Sequence, residues 1–209
     1  MSATYGPEDF AAEFAVSRET MDRLAAYDAT LLDWQSRMNL IARSTIEDRW
    51  ARHYRDSAQL MRHLPQEAKS LLDLGSGAGF PGLVLTALAA DQLGAVHLVD
   101  SVGKKARFLS AAAEAMELKN VSVSAKRIEA LPPSKPDIIT ARALAALPKL
   151  LGLVAPFVGP KTTCLFPKGQ HVVDELTEAT KSWHMTVEQI PSVTASESVI
   201  LAIRNLAPR

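Results

Sequence analysis

The run Leu71-Leu72-Asp73-Leu74-Gly75-Ser76-Gly77-Ala78-Gly79-Phe80-Pro81-Gly82 constrains this chain more than any other stretch. A short apolar strand passes into alternating glycines and then into a helical pattern, with Pro81 suited to the first helical turn. Gly75, Gly77 and Gly79 let the backbone turn sharply off the strand end and admit a ligand against it, near a helix amino terminus. Counted from Gly75, the dinucleotide spacing G-x-G-x-x-G puts its third glycine at position 80, which is Phe80. NAD binding loses support, and an adenosyl ligand without pyrophosphate is the better fit. At the end of the next apolar run Asp100 stands 27 positions after Asp73, where a carboxylate accepts from both ribose hydroxyls.

From Ser70 onward, short apolar runs alternate with helical segments, the pattern of a parallel sheet with crossover helices. Strands are predicted over 70–74, 95–99, 121–125, 137–141, 162–166, 186–190 and 199–204. Helices are predicted over 81–90, 104–118, 145–158 and 172–183. No helix separates the last two strands, so the sheet is expected to end in an antiparallel hairpin. Before it, Met21, Leu24, Ala25, Leu31 and Leu32 recur at helical spacing, and Ser44-Thr45-Ile46-Glu47 has the form of a capping box. That box would open a helix with Ile46, Trp50, Tyr54, Ser57, Met61 and Leu64 inward and its basic residues outward, ending near Pro65. The expected organisation is a helical extension over 1–66 and an α/β core over 67–209. Asp73, the glycines and Asp100 together resemble the first two motifs of the Rossmann-like, class I S-adenosylmethionine-dependent methyltransferases.

Composition narrows the function classes. In 209 residues, 47% hydrophobic and 22% charged, no stretch approaches the roughly 18 apolar residues of a membrane-spanning helix. The stretch Met1 to Phe14 carries Glu8, Asp9 and Glu13 without a basic cluster and apolar run, so no secretory leader is read and a cytoplasmic site is expected. A single cysteine, Cys164, and five scattered histidines offer neither a disulfide nor a metal site. The formal charge is zero, yet it is uneven: residues 1–30 hold six acids against Arg18 and Arg23. Two basic groups follow, Arg43, Arg49, Arg52, Arg55 and Arg62, then Lys104, Lys105, Arg107, Lys126 and Arg127. Each is either a solvated helix face or a phosphate-binding surface.

Among methyltransferase chemistries, the Asn/Asp-Pro-Pro-aromatic stretch of amino-nitrogen enzymes is absent, since that place reads Thr140-Ala141-Arg142-Ala143-Leu144. Carbon-5 chemistry on pyrimidines needs a thiol nucleophile, but Cys164 sits in an apolar strand-like run that fits core packing. Transfer to an atom already nucleophilic, such as guanine N7, remains. A methyltransferase of a small molecule or protein, and a non-catalytic RNA-binding module, are the alternatives.

Seven runs carry a closer resemblance: Asn39-Leu40, Arg52-His53-Tyr54-Arg55-Asp56-Ser57, the glycine turn with Phe80-Pro81-Gly82, Asp100 to Lys105 with Arg107-Phe108-Leu109, Arg127-Ile128-Glu129, Ala141-Arg142-Ala143, and Lys168-Gly169-Gln170. From about Leu31 to the carboxyl terminus the chain resembles the bacterial RsmG methyltransferases, also called glucose-inhibited division protein B. The resemblance implies methyl transfer from S-adenosylmethionine to N7 of a guanosine in 16S ribosomal RNA; a monomer and no metal are expected besides. It implies cofactor contacts from Gly75, Gly77, Phe80, Asp100, Ile128, Glu129 and Arg142. Substrate contacts would come from Arg142, His53, Lys168 and Arg52, with Arg52, Arg55, Lys104 and Lys105 gripping phosphates. The chain departs from the family at Ala78, often proline there, and at Phe166-Pro167, and its first 30 residues match no pattern in that resemblance.

Overall fold

A computed structural model describes residues 5–209; Met1–Thr4, the start of the stretch read above for a leader and of the 1–66 extension, lie outside the described residues. The strands are β1 (Ser70–Leu74), β2 (Ala95–Val99), β3 (Val121–Ser124), β4 (Ile138–Thr140), β5 (Thr163–Lys168), β6 (Trp183–Pro191) and β7 (Val199–Pro208). They form one sheet in the order β3-β2-β1-β4-β5-β7-β6, with every pairing parallel except those of β7, which runs antiparallel to both β5 and β6. The mostly parallel sheet and the closing hairpin are therefore as the sequence predicts. The helices are α1 (Pro7–Phe14), α2 (Arg18–Gln35), α3 (Asp56–Ala58), α4 (Gly82–Leu88), α5 (Gly103–Ala115), α6 (Leu147–Val154) and α7 (Val172–Ala179).

Period-two alternation splits the core between the sheet's two faces. Leu71, Val96, Leu98, Ile138 and Leu165 face α4, α5 and the amino-terminal helices. Leu72, Leu74, Val99, Ile139 and Phe166 face α6 and α7. Phe10 of α1, the stripe Leu24, Tyr27 and Leu31 of α2, and the stacked pair Trp50 and Tyr54 all bury themselves in the first of these clusters. Ala25 and Leu32 are turned outward.

Two stretches differ from the sequence reading. Ser44-Thr45 does not cap a helix: residues 43–45 form a 3-10 turn, and the next helical segment is a π-helical turn over Trp50–Arg55 running through α3 into a 3-10 turn over Gln59–His63. Thr45 uses its hydroxyl on the Ala42 carbonyl instead. The hairpin is also longer than predicted, because Trp183, Met185 and Val187 alternate with exposed His184, Thr186 and Glu188 and the strand pairs with β7 across a bulge at Met185. The helix expected to run to Trp183 ends at Ala179. No helix among the described residues is long and apolar enough to cross a membrane.

Candidate active site

The carboxyl ends of β1, β2 and β4 surround a cavity of about 440 Å³, where an open parallel sheet places its ligand. Gly75, Asp100, Ile128 and Glu129 line it together. Asp100 is anchored by the turn itself: its Oδ2 accepts from the Gly77 amide at 2.9 Å and its Oδ1 from the Val102 amide at 2.8 Å. A carboxylate carries about four lone-pair positions, so two remain for the hydroxyls of a ribose. Ile128 presents an apolar surface at the start of a short 3-10 turn, and Glu129 stands exposed beside it. These residues fit an adenosyl group: a diol acceptor, an apolar contact for a flat ring, and a glycine turn with no side chain in the way.

The turn is held from behind by a residue that the motif does not contain. Tyr27 of α2 donates its phenol hydrogen to the Ala78 carbonyl, and a Cβ on Gly79 (φ +90°) would lie 2.6 Å from Leu83 Cδ1 and 2.8 Å from the Tyr27 oxygen. Gly82 packs equally close on Leu98 and Asp73. Counted from Gly77, the glycines at 77, 79 and 82 do satisfy G-x-G-x-x-G, so the spacing that fails from Gly75 does not by itself separate the two cofactor classes. Asp73, fully buried, accepts from Thr140 Oγ1 at 2.6 Å and ties β1 to β4, and burial holds its carboxyl above the usual range.

Phe80 and Arg142 do not line this cavity. The Phe80 ring is buried under the amino-terminal layer, stacked on the His53 ring at 5.1 Å and with the Arg142 guanidinium 5.2 Å from its centroid. Arg142 projects into two adjoining cavities of about 450 and 220 Å³, which share Asp56, Arg142 and Ser198. Between these and the cofactor cavity stands a thin wall, residues 143–145, which lines both sides; Leu144 closes it by resting over Gly75.

Arg142 is aimed by its neighbours. Its Nη1 donates toward His53 Nδ1 at 3.1 Å, Asp56 Oδ2 at 3.3 Å and, more weakly, the Arg52 carbonyl at 3.4 Å. The other face of His53 defines its tautomer: Nε2 lies 2.9 Å from Thr45 Oγ1, whose proton goes to the Ala42 carbonyl, so Nε2 is the donor and Nδ1 the acceptor. His53 is therefore a neutral imidazole, and burial, then the charges of Arg142 and Arg52, push its pKa down to about 3. Arg52 keeps its side chain exposed at the rim of the smaller cavity. Lys168 lines the larger one, but its ammonium is engaged, donating to the Ala145 carbonyl at 2.8 Å and to Glu175 at 2.7 Å. Glu175 also accepts from the Leu147 amide, so this trio braces the wall against α7.

A model of the family described as GidB, rRNA small subunit methyltransferase G, matches residues 20–203. The chain belongs to that family. The ribosomal RNA small subunit methyltransferase G of Rhodospirillum centenum is 50% identical over 201 residues, covering 96% of this chain and 91% of its own length. Its counterpart in Cereibacter sphaeroides is 46% identical over 202 residues, covering 96% and 98%. A SAM-dependent methyltransferase from Aquifex aeolicus, 15% identical, shares the fold at a TM-score of 0.57 over 84% of this chain and 96% of that one. The family match starts at residue 20 rather than near Leu31, and so includes α2 with its Tyr27 clamp.

Several site residues had no signal in the sequence. Lys149 reaches the cofactor cavity from α6, Leu144 forms its wall, and Thr194 enters the Arg142 pocket from the β6–β7 loop, bonded to Asp56 at 2.8 Å. Only the hydrophobic opening of α6 predicts where Lys149 falls, and only the tertiary fold brings a loop 138 positions away onto Asp56.

Proposed function

We propose that this protein transfers a methyl group from S-adenosylmethionine to N7 of a guanosine in 16S ribosomal RNA, acting in the cytoplasm as a monomer on the small subunit or an assembly intermediate. The observation that carries the reading is the pair of cavities, one built for an adenosyl group and one around Arg142, separated only by residues 143–145. The names of the relatives, ribosomal RNA small subunit methyltransferases, supply the substrate class.

S-adenosylmethionine supplies a methyl group on a positively charged sulfur. Asp100 would take the ribose, Ile128 and Glu129 the adenine, and the Gly75–Gly77 backbone would lie along the remainder. Arg142, fixed by His53 and Asp56 and backed by Phe80, has Nη2 and Nε without a partner among the described residues, and they would orient an acceptor edge at the boundary between the two cavities. His53 and Phe80 would thus act through Arg142, and Lys168 through the wall that it braces.

N7 has a lone pair available, so the reaction needs alignment and exclusion of water rather than a base. Two features suit that requirement. Both nitrogens of His53 are engaged, and Cys164 is buried with its thiol pushed up to about 12, unsuited to nucleophilic attack. The phosphate grip would lose Arg55, keep exposed Arg52, and gain the cations at the cofactor rim. Arg55 forks onto Glu13, whereas Lys105, Lys126, Arg127 and Lys149 line the cofactor cavity.

The test is labelled S-adenosylmethionine offered to small subunits from cells lacking this protein. Label in the RNA fraction is the expected result; label only in subunit protein, or only on an added small molecule, would overturn the RNA reading.

A further inference from the structure

A second concentration of positive charge lies at the opposite end of the sheet. A cavity of about 650 Å³ opens between the chain leading into β1, the chain leading into β5, and the β6–β7 hairpin. It is larger than the cofactor cavity and opens at the opposite ends of the strands, on the β5–β7 side of the sheet. Arg62, Lys161 and Arg204 reach it from these three segments, all exposed, and none forms an ion pair among the described residues. Arg204 spends one N–H on Thr163 Oγ1 at 3.3 Å and keeps the rest of its fork. Among the described residues Glu188 is the one carboxylate in the wall. Burial holds His63 below its ordinary pKa against the pull of Glu188, so the ring adds no charge near neutral pH.

Three cations stand around one open concavity; Glu188 in the wall, Glu13 acting on Arg62 and Asp137 acting on Lys161 offset them from a distance, none within ion-pair reach among the described residues. The missing partner is anionic. The cavity is far wider than a single phosphate, and its cations come from separate walls rather than one nest, which suits phosphates spaced along a backbone. We propose that this cavity binds the phosphodiester backbone of the RNA substrate at a point remote from the reacting base. The proposal rests on the RNA reading above and extends the contact from the cofactor rim to the far edge of β5 and β7. A folded subunit presents backbone at both places at once, which gives a neutral protein grip without a single strongly basic face.

The test measures binding to small ribosomal subunits against salt concentration, for the natural protein and for R62Q/K161Q/R204Q. Each phosphate contact removed lowers the slope of log affinity against log salt by roughly one, so the variant is expected to be shallower by about three. Between 50 and 200 mM salt, the natural protein should then lose roughly 60-fold more affinity than the variant. Unchanged cofactor affinity in the variant is the check that it has folded. An unchanged slope, with methyl transfer by the natural protein intact, overturns the proposal. Thermal stabilisation by inorganic pyrophosphate that the variant loses, with the slope unchanged, overturns it in favour of a free phosphoryl ligand. If the natural protein neither binds nor methylates subunits, the RNA reading itself fails and this inference falls with it.

Discussion

The helical segment over residues 50–63 and the rim of the cofactor cavity both gather positive charge, but only around the first are some of the cations, Arg49 and Arg55, paired from within, while Arg52 and Arg62 stay exposed. Just ahead of that segment Arg49 forks onto Asp28 of α2 at 2.6 and 2.7 Å, and within it Arg55 forks onto Glu13 of α1 at 2.8 and 3.0 Å. Two of the six acids in the first 30 residues, Glu13 and Asp28, are thus the counterparts of Arg55 and Arg49, and the pairs dock two helices on the core. At the rim, Lys105 comes from α5, Lys126 and Arg127 from the turn after β3, and Lys149 from α6. None of the four meets a carboxylate in an ion pair among the described residues. Clustered charge in a sequence therefore says little until its partners are known: Arg49 and Arg55 hold the fold together, while the rim cations, like Arg52 and Arg62, stay available to a ligand.

The largest expected effect is at the rim. The variant K105Q/K126Q/R127Q/K149Q should bind small subunits on the order of 100-fold more weakly at moderate salt, with its salt slope shallower by about four. Its melting temperature should stay close to that of the natural protein, because exposed charges without partners contribute little to stability.

Arg142 lies at the boundary of the comparison, paired with Asp56 yet facing a cavity. Arg142→Lys keeps the charge but loses the fork, and kcat/KM should fall by roughly 10 to 100-fold in a steady-state transfer assay. His53→Gln should fall less, since an amide oxygen can still accept from Arg142. If both variants behave like the natural protein, Arg142 belongs with the structural arginines.

In the first group, Arg55→Gln should cost about 1 to 2 kcal/mol in denaturant unfolding, leaving Glu13 and the Tyr5 hydroxyl bonded to it without their cation. The salt slope for RNA should not change. A changed slope with unchanged stability would reverse the assignment of the two groups.

The smallest effect is a pH dependence. A histidine held neutral in the fold binds its proton more readily when unfolded, so the stabilisation is complete above about 6.5 and declines as pH falls toward 3. Between pH 6.5 and 5.5 the His53 share should be below about 1 kcal/mol, given its partial solvent contact. His63 and His97 are also held down by burial and add in the same direction, so the share is read as the difference between the natural protein and His53→Gln. Activity should show no His53 inflection between pH 5 and 8.

Where side chains follow one local period, the sequence was legible. β1 and β2 have their predicted ends, and Asp100 and Gly75 meet in one cavity, because a strand end and its turn are local objects. The π-helical turn was not, since a capping-box pattern at Ser44 describes propensity while the Trp50–Tyr54 stack is imposed by packing on Phe10 and Tyr27. The helical period before Trp183 predicts a helix through it, although its alternation with His184 and Met185 fits the strand that forms. The wall at Leu144 and the loop contact of Thr194 depend on residues distant in the chain, and no spacing announces them.

The most direct test of the account is to locate the methyl group. Small subunits from cells lacking the protein would be methylated in vitro, and their RNA cleaved at N7-methylguanosine and mapped. Cleavage at a single guanosine, reduced by the rim variant and retained with Arg55→Gln, is the predicted result. Label in the RNA without such cleavage, or cleavage lost with Arg55→Gln and kept with the rim variant, would contradict it.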